Sequence, residues 1–225
     1  MSRGGENLQD GKKDINEHSR TVAKVSRVTI IANTALALLK AAAGIIGHSS
    51  AMLADAAHTF SDLFASVAVL IGVYISDHVR SNNKERFRNK IEGTISVLLS
   101  LLLIYLAVEI GAGGAVTIIS GAYKNVEAPT LLPLAAALVS IVTKEALYKY
   151  SIKNAQRADS VVLRAIAWHN RTDALVTVGS LVGILGARFG YLIFDPAASI
   201  VISFLVMKAA FEIFADAVRT LKNSR

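Results

Sequence analysis

Histidine and aspartate stand four residues apart twice in this chain, as His58 with Asp62 and as His169 with Asp173. Each pair closes the same phrase, A-x-A-x-H-x-x-S/T-D, written once over residues 54–62 and again over residues 165–173. A spacing of four puts both side chains of a pair on one helix face. Two such faces turned toward each other offer two imidazole nitrogens and two carboxylate oxygens, the donors of a tetrahedral zinc site. The charges agree, because two carboxylates neutralise a dication that hydrocarbon would not tolerate unpaired. The chain holds no cysteine, which excludes thiolate ligands and disulfides. Asp55, one turn before His58 on the same face, is weighed equally as an accessory ligand and as a structural or outer-pathway residue.

The elements that must carry these residues are apolar. Of 225 residues 53% are hydrophobic, too many for an ordinary soluble domain of this size. Long apolar runs at 24–47, 50–76, 91–118, 129–148, 161–187 and 191–215 each reach the ~20 residues that a spanning helix needs. They lack the alternation of a membrane barrel. The expected fold class is therefore all-α, a polytopic membrane protein with six transmembrane helices. The expected domains are a cytoplasmic tail over 1–23, a six-helix transport domain over 24–218 and a short cytoplasmic tail over 219–225. The tail at the start carries no removable signal peptide pattern.

Basic residues border the spans on one side: Arg27, then Arg80 to Lys90, then Lys149, Lys153 and Arg157, then Arg219 and Lys222. The opposite loops offer Lys124 and Arg188. Such asymmetry marks the cytoplasmic side and predicts both termini there. It also accounts for the net charge of +7, so that charge does not argue for nucleic acid as a partner. The partners expected are a lipid bilayer and a divalent metal ion.

The repeated phrase falls in the second and fifth runs, dividing the chain into two three-helix halves of opposite direction. Inverted halves place a substrate site near the bilayer midplane. At ~1.5 Å per residue, Asp62 lies about 18 Å from Ser50 and Asp173 about 18 Å from Val161, the middle of the membrane in both cases. Because the helices run oppositely, His58 is expected beside Asp173 and Asp62 beside His169. Buried ionisable groups in lipid are costly and functional by default.

Other polar residues carry weaker expectations. Lys40, Glu109 and Lys144 are expected to snorkel from nearby span ends, and Asn33 to make an interhelical hydrogen bond. Lys208, Glu212 and Asp216 recur along one face of the sixth run. His18, His48 and His78 are expected in solvent. Gly179-x-x-x-Gly183 and Gly186-x-x-x-Gly190 are spacings that permit close helix approach.

On these residues the chain resembles the cation diffusion facilitator family of divalent-metal/proton antiporters. The likeness rests on Ser50 to Asp62 and Ala167 to Leu175, with Lys144 to Tyr150 and Gly183 to Arg188 in support. It implies the cation-efflux transmembrane fold, a homodimer working by alternating access, and His58, Asp62, His169 and Asp173 as the transport site. It implies Zn2+ as the transported ion, H+ as the counter-ion and no prosthetic group. Two features depart from the family. The stretch Arg86-Phe87-Arg88-Asn89-Lys90-Ile91-Glu92 stands where a His-containing motif is usual, and the chain stops at Arg225 where a ferredoxin-like cytoplasmic domain usually follows. Ile166 also replaces a frequent acidic residue.

The function expected is export of a divalent cation, foremost Zn2+, in exchange for protons across a bacterial inner (plasma) membrane. The alternatives are an exporter of Fe2+, Co2+, Cd2+ or Mn2+, and a non-transporting partner or scaffold subunit. An intramembrane metalloenzyme is disfavoured, because no H-E-x-x-H helix is present and four protein ligands leave no open position for water. The chain is read as no enzyme.

Overall fold

In a computed structural model, the backbone is described for residues 3–78, 82–125 and 127–223 and the side chains for 20–64, 93–94, 96–125, 127–219 and 221–222. Among them are six α helices: α1 Arg3–Ile46, α2 Ser50–His78, α3 Asn82–Ile119, α4 Leu131–Arg157, α5 Val161–Arg188 and α6 Phe194–Asn223. One 3-10 turn, Ala122–Asn125, lies between α3 and α4. No strand occurs among the described residues. The motifs Arg86 to Glu92, His18 and His78 carry side chains outside the described set.

Among the described residues four helical stretches are long and apolar enough to cross a membrane: Arg20–Ile46, Ser96–Ile119, Leu131–Arg157 and Phe194–Arg219. The other two are the helices that carry the repeated phrase. α5 holds Arg164, Arg171, Asp173 and Arg188 within its 28 residues, and the described side chains of α2 end at Phe64 with Asp55 and Asp62 among them. In α5 those charges lower the apolar character.

Burial is inverted relative to a water-soluble protein. Ile31 and Val142 are each 69% exposed, and Phe204, Leu98 and Leu175 also face outward, while Lys40, Asp55, Lys144 and Asp173 are inside. Lipid in place of water makes that distribution favourable. The interior is built from small residues, which allow close helix approach where apolar burial against lipid gives little driving force. Ala43, Ala51, Met52, Ala136, Ala137 and Ile184 join α1, α2, α4 and α5. Ala54, Ala57, Ala107, Ile202 and Val206 join α2, α3 and α6. α3 lies along α6, α4 along α5, and α2 against α1, α3, α5 and α6, so α2 is central.

The close approach of α5 to α6 has a specific cause. A Cβ on Gly183 would stand 2.5 Å from the Ala198 Cβ and 3.1 Å from the Phe194 carbonyl, and one on Gly186 would meet the Phe194 ring. Gly179 has nothing within 4 Å of such a Cβ. The working pair is therefore Gly183 with Gly186, three apart on one face, across the two spacings read from the sequence.

One end of the bundle is tied by hydrogen bonds. In α6, Asp195 accepts from the Ser49 hydroxyl (2.6 Å) and from the backbone N–H groups of Ser50 (2.7 Å) and Ala51 (3.4 Å). A carboxylate at those orphan donors caps the start of α2 and complements its dipole. Thr130 N donates to the Gly47 carbonyl (3.0 Å), and Arg188 donates to the Pro129 carbonyl (2.6 Å). All three connections at that end are thus cross-linked. At the opposite end Ser160 caps α5 and Asp159 pairs with Arg164.

Candidate metal centre

α2 and α5 run in opposite directions beside each other, and their repeated residues meet. His58, Asp62 and Asp173 each offer a donor atom, and these atoms all lie within 4.8 Å of one another. His58 Nε2 is 3.7 Å from Asp62 Oδ2. His169 lies at the edge of this trio, its Nδ1 3.7 Å from Asp173 Oδ1 and its Nε2 4.0 Å from Asp62 Oδ1. Across the two helices Asp62 lies 4.0 Å from His169 and His58 has a donor within 4.8 Å of one on Asp173, while the 3.7 Å approaches run along each helix, His58 with Asp62 and His169 with Asp173.

Tetrahedral zinc with ligand bonds of ~2.1 Å holds its donors roughly 3.4 Å apart. The cluster is within about 1.5 Å of that spacing, a distance that side-chain rotation covers. Both ring nitrogens of His58 are buried with no hydrogen-bond partner among the described residues. A buried imidazole without a partner is costly unless a ligand completes it. Exposure is uneven across the four: Asp173 is 4% exposed, whereas the His169 side chain is 45% exposed. His169 lies one turn from Asp173 toward the Ser160 end, so the cluster is open toward that end.

Lys40 and Lys144 do not snorkel. Both are fully buried, the largest such side chains among the described residues. For Lys144 the reason is helix length: α4 continues to Arg157, so Lys144 lies midway along it. Each lysine has found a carboxylate. Lys144 Nζ donates to Asp173 Oδ2 at 2.5 Å. Lys40 Nζ donates to Asp55 Oδ1 (3.0 Å), Thr59 Oγ1 (3.1 Å) and Thr177 Oγ1 (2.9 Å), which uses all three of its protons. Thr177 in turn lies 3.3 Å from the same Asp55 oxygen.

Asp55 is therefore turned away from the trio and into a Lys40–Thr59–Thr177 cluster. That cluster stands one turn from the trio, on the side of the tied end, and closes it there. Sequence reading missed Asp195 and the two threonines. Thr59 follows His58 and Thr177 stands one turn after Asp173, so their positions relative to the phrase were an available signal. Asn33 is buried with its Oδ1 lacking a hydrogen-bond partner among the described residues, in place of the interhelical bond expected of it. Glu109 is exposed midway along the apolar stretch of α3, so it too departs from the expected span-end position. His48 is exposed as expected, and Lys208, Glu212 and Asp216 are exposed on α6.

Comparison with known proteins agrees with this architecture. The profile of the cation efflux transmembrane domain matches residues 26–222. An uncharacterized transporter of Methanocaldococcus jannaschii is 33% identical over 194 residues, covering 86% of this chain and 68% of that protein. A manganese efflux system protein of Bacillus subtilis is 30% identical over 218 residues, covering 91% of this chain and 70% of that one. A magnetosome protein of Magnetospira sp. is 30% identical over 185 residues, covering 82% and 62%. With its apolar helices, the twin phrase on α2 and α5 and a domain match along most of its length, the chain is an integral membrane protein of the cation efflux family.

Proposed function

We propose that the protein exports a divalent transition metal, foremost Zn2+, in exchange for protons, with His58, Asp62, His169 and Asp173 as the transport site. The observation that carries this reading is the buried His58 imidazole, lacking a hydrogen-bond partner among the described residues, beside two carboxylates drawn from two different helices. Two imidazoles favour zinc over hard oxygen-seeking ions. Each imidazole must be free of its second proton to bind metal, so protons and cargo compete for the same groups. That competition lets an inward proton eject an outward ion.

The path follows from the closure at one end. Cargo enters past the half-exposed His169 from the Ser160 end, which the basic residues assign to the cytoplasm. Release on the other side requires the Lys40–Asp55–Thr59–Thr177 cluster to part. All six helices span the bilayer in this reading, both termini are cytoplasmic, and two copies associate as a homodimer, the arrangement implied by the family resemblance.

A second reading, manganese as cargo, is favoured by the relative named as a manganese efflux system protein. Carboxylates suit Mn2+ while imidazoles suit Zn2+, and the site offers both. The test is uptake of Zn2+, Mn2+, Fe2+, Co2+ and Cd2+ by proteoliposomes with and without an opposing pH gradient. Zinc uptake accelerated by the gradient is expected. Faster manganese uptake would transfer the assignment to manganese, and zinc flux indifferent to the gradient would remove proton exchange.

A further inference from the structure

Two carboxylates balance one dication only when no other charge is present, and Lys144 is present. Its side chain is entirely buried, and its ammonium donates to Asp173 Oδ2, the carboxylate that belongs to the candidate metal trio. No further acceptor for that ammonium is found among the described side chains. Lys144 sits on α4, whereas the trio sits on α2 and α5, so the ammonium reaches the site from a third helix. An ammonium and a dication sharing one carboxylate a few ångströms apart repel strongly in an interior of low dielectric constant.

We propose that Lys144 is a tethered competitor for the transported metal: its ammonium holds Asp173 while the site is empty of cargo, and the arriving ion displaces it. The proposal rests on the trio being the cargo site. Two consequences follow. The membrane interior never contains an uncompensated pair of carboxylates, which would be costly between transport events. Cargo binds less tightly than three or four ligands alone would hold it, and returning lysine helps it leave. A lysine suits this use because its ammonium is a point charge on a flexible stem, able to withdraw where a guanidinium fork would hold on.

The competing account is a structural tie between α4 and α5 with no bearing on metal. Titration calorimetry of Zn2+ and of Mn2+ into the detergent-solubilised full chain separates the two. A tethered competitor predicts that Lys144→Gln, which keeps a hydrogen-bond donor but no charge, binds metal about tenfold tighter or more. The same variant should transport more slowly under saturating metal, because release is delayed. Lys144→Arg keeps a permanent, bidentate cation on Asp173 and should bind metal several-fold more weakly; it also tests the idea if the neutral variant does not fold. Unchanged or weakened binding in Lys144→Gln overturns the proposal, as does Lys144→Arg binding at wild-type strength. His58→Ala and Asp173→Asn are the controls. If they leave metal affinity at the wild-type value, the transport-site assignment has failed; if they abolish binding while Lys144→Gln does not tighten it, the competitor alone has failed.

Discussion

At the scale of single residues, the buried lysines among the described residues are each answered by a carboxylate, and the pairs differ in what they permit. Asp55 is held by a lysine with all three protons engaged, a closed arrangement. Among the described residues, Asp173 is held by a lysine with one bond, beside a histidine with none. The first is suited to closure and the second to exchange. Removing one member of a buried pair strands the other, at a cost of about 3–5 kcal/mol, while removing both for apolar residues of similar size is far milder. Lys40→Met should therefore lower the thermal midpoint in detergent well below that of the Lys40→Met/Asp55→Leu double variant. Equal losses in the two would show that Asp55 is not dependent on Lys40.

At the scale of elements, approach distance decides what the helices can do. α5 lies against α6 through Gly183, where an added methyl meets both a Cβ and a backbone carbonyl, while Gly179 faces open space. Gly183→Ala should lose roughly 1–3 kcal/mol through overpacking, and Gly179→Ala should match or exceed wild type because alanine favours a helix. Thermal unfolding of the two variants in detergent checks this, and equal midpoints would refute the packing assigned to α5 and α6. The repeated phrase made α2, α5 and their antiparallel meeting legible before any coordinates, because a spacing of four and a ~1.5 Å rise fix face and depth. Lys144 departs from the snorkelling expectation because the apolar run ends at residue 148 whereas α4 runs on to Arg157. Asp195 was not legible at all, since capping of α2 from α6 joins residues more than 140 apart.

At the scale of the whole molecule, the bundle is asymmetric along its long axis. Three connections are cross-linked at the end holding Gly47, Thr130, Arg188 and Asp195, while the metal trio opens through His169 toward the other. Under the proposed exchange by alternating access, this form is the one with access from the Ser160 end, and the cycle would need the opposite asymmetry in turn. The family match accounts for the fold and its membrane setting, and the four repeated ligands carry the account of what is moved. The measurement that bears on that claim most directly is zinc uptake by proteoliposomes holding wild type, Asp62→Asn or Asp173→Asn, each substitution nearly isosteric but uncharged. Uptake in both variants should fall to the level of liposomes without protein, and uptake persisting at the wild-type rate in both would contradict the assignment of the site.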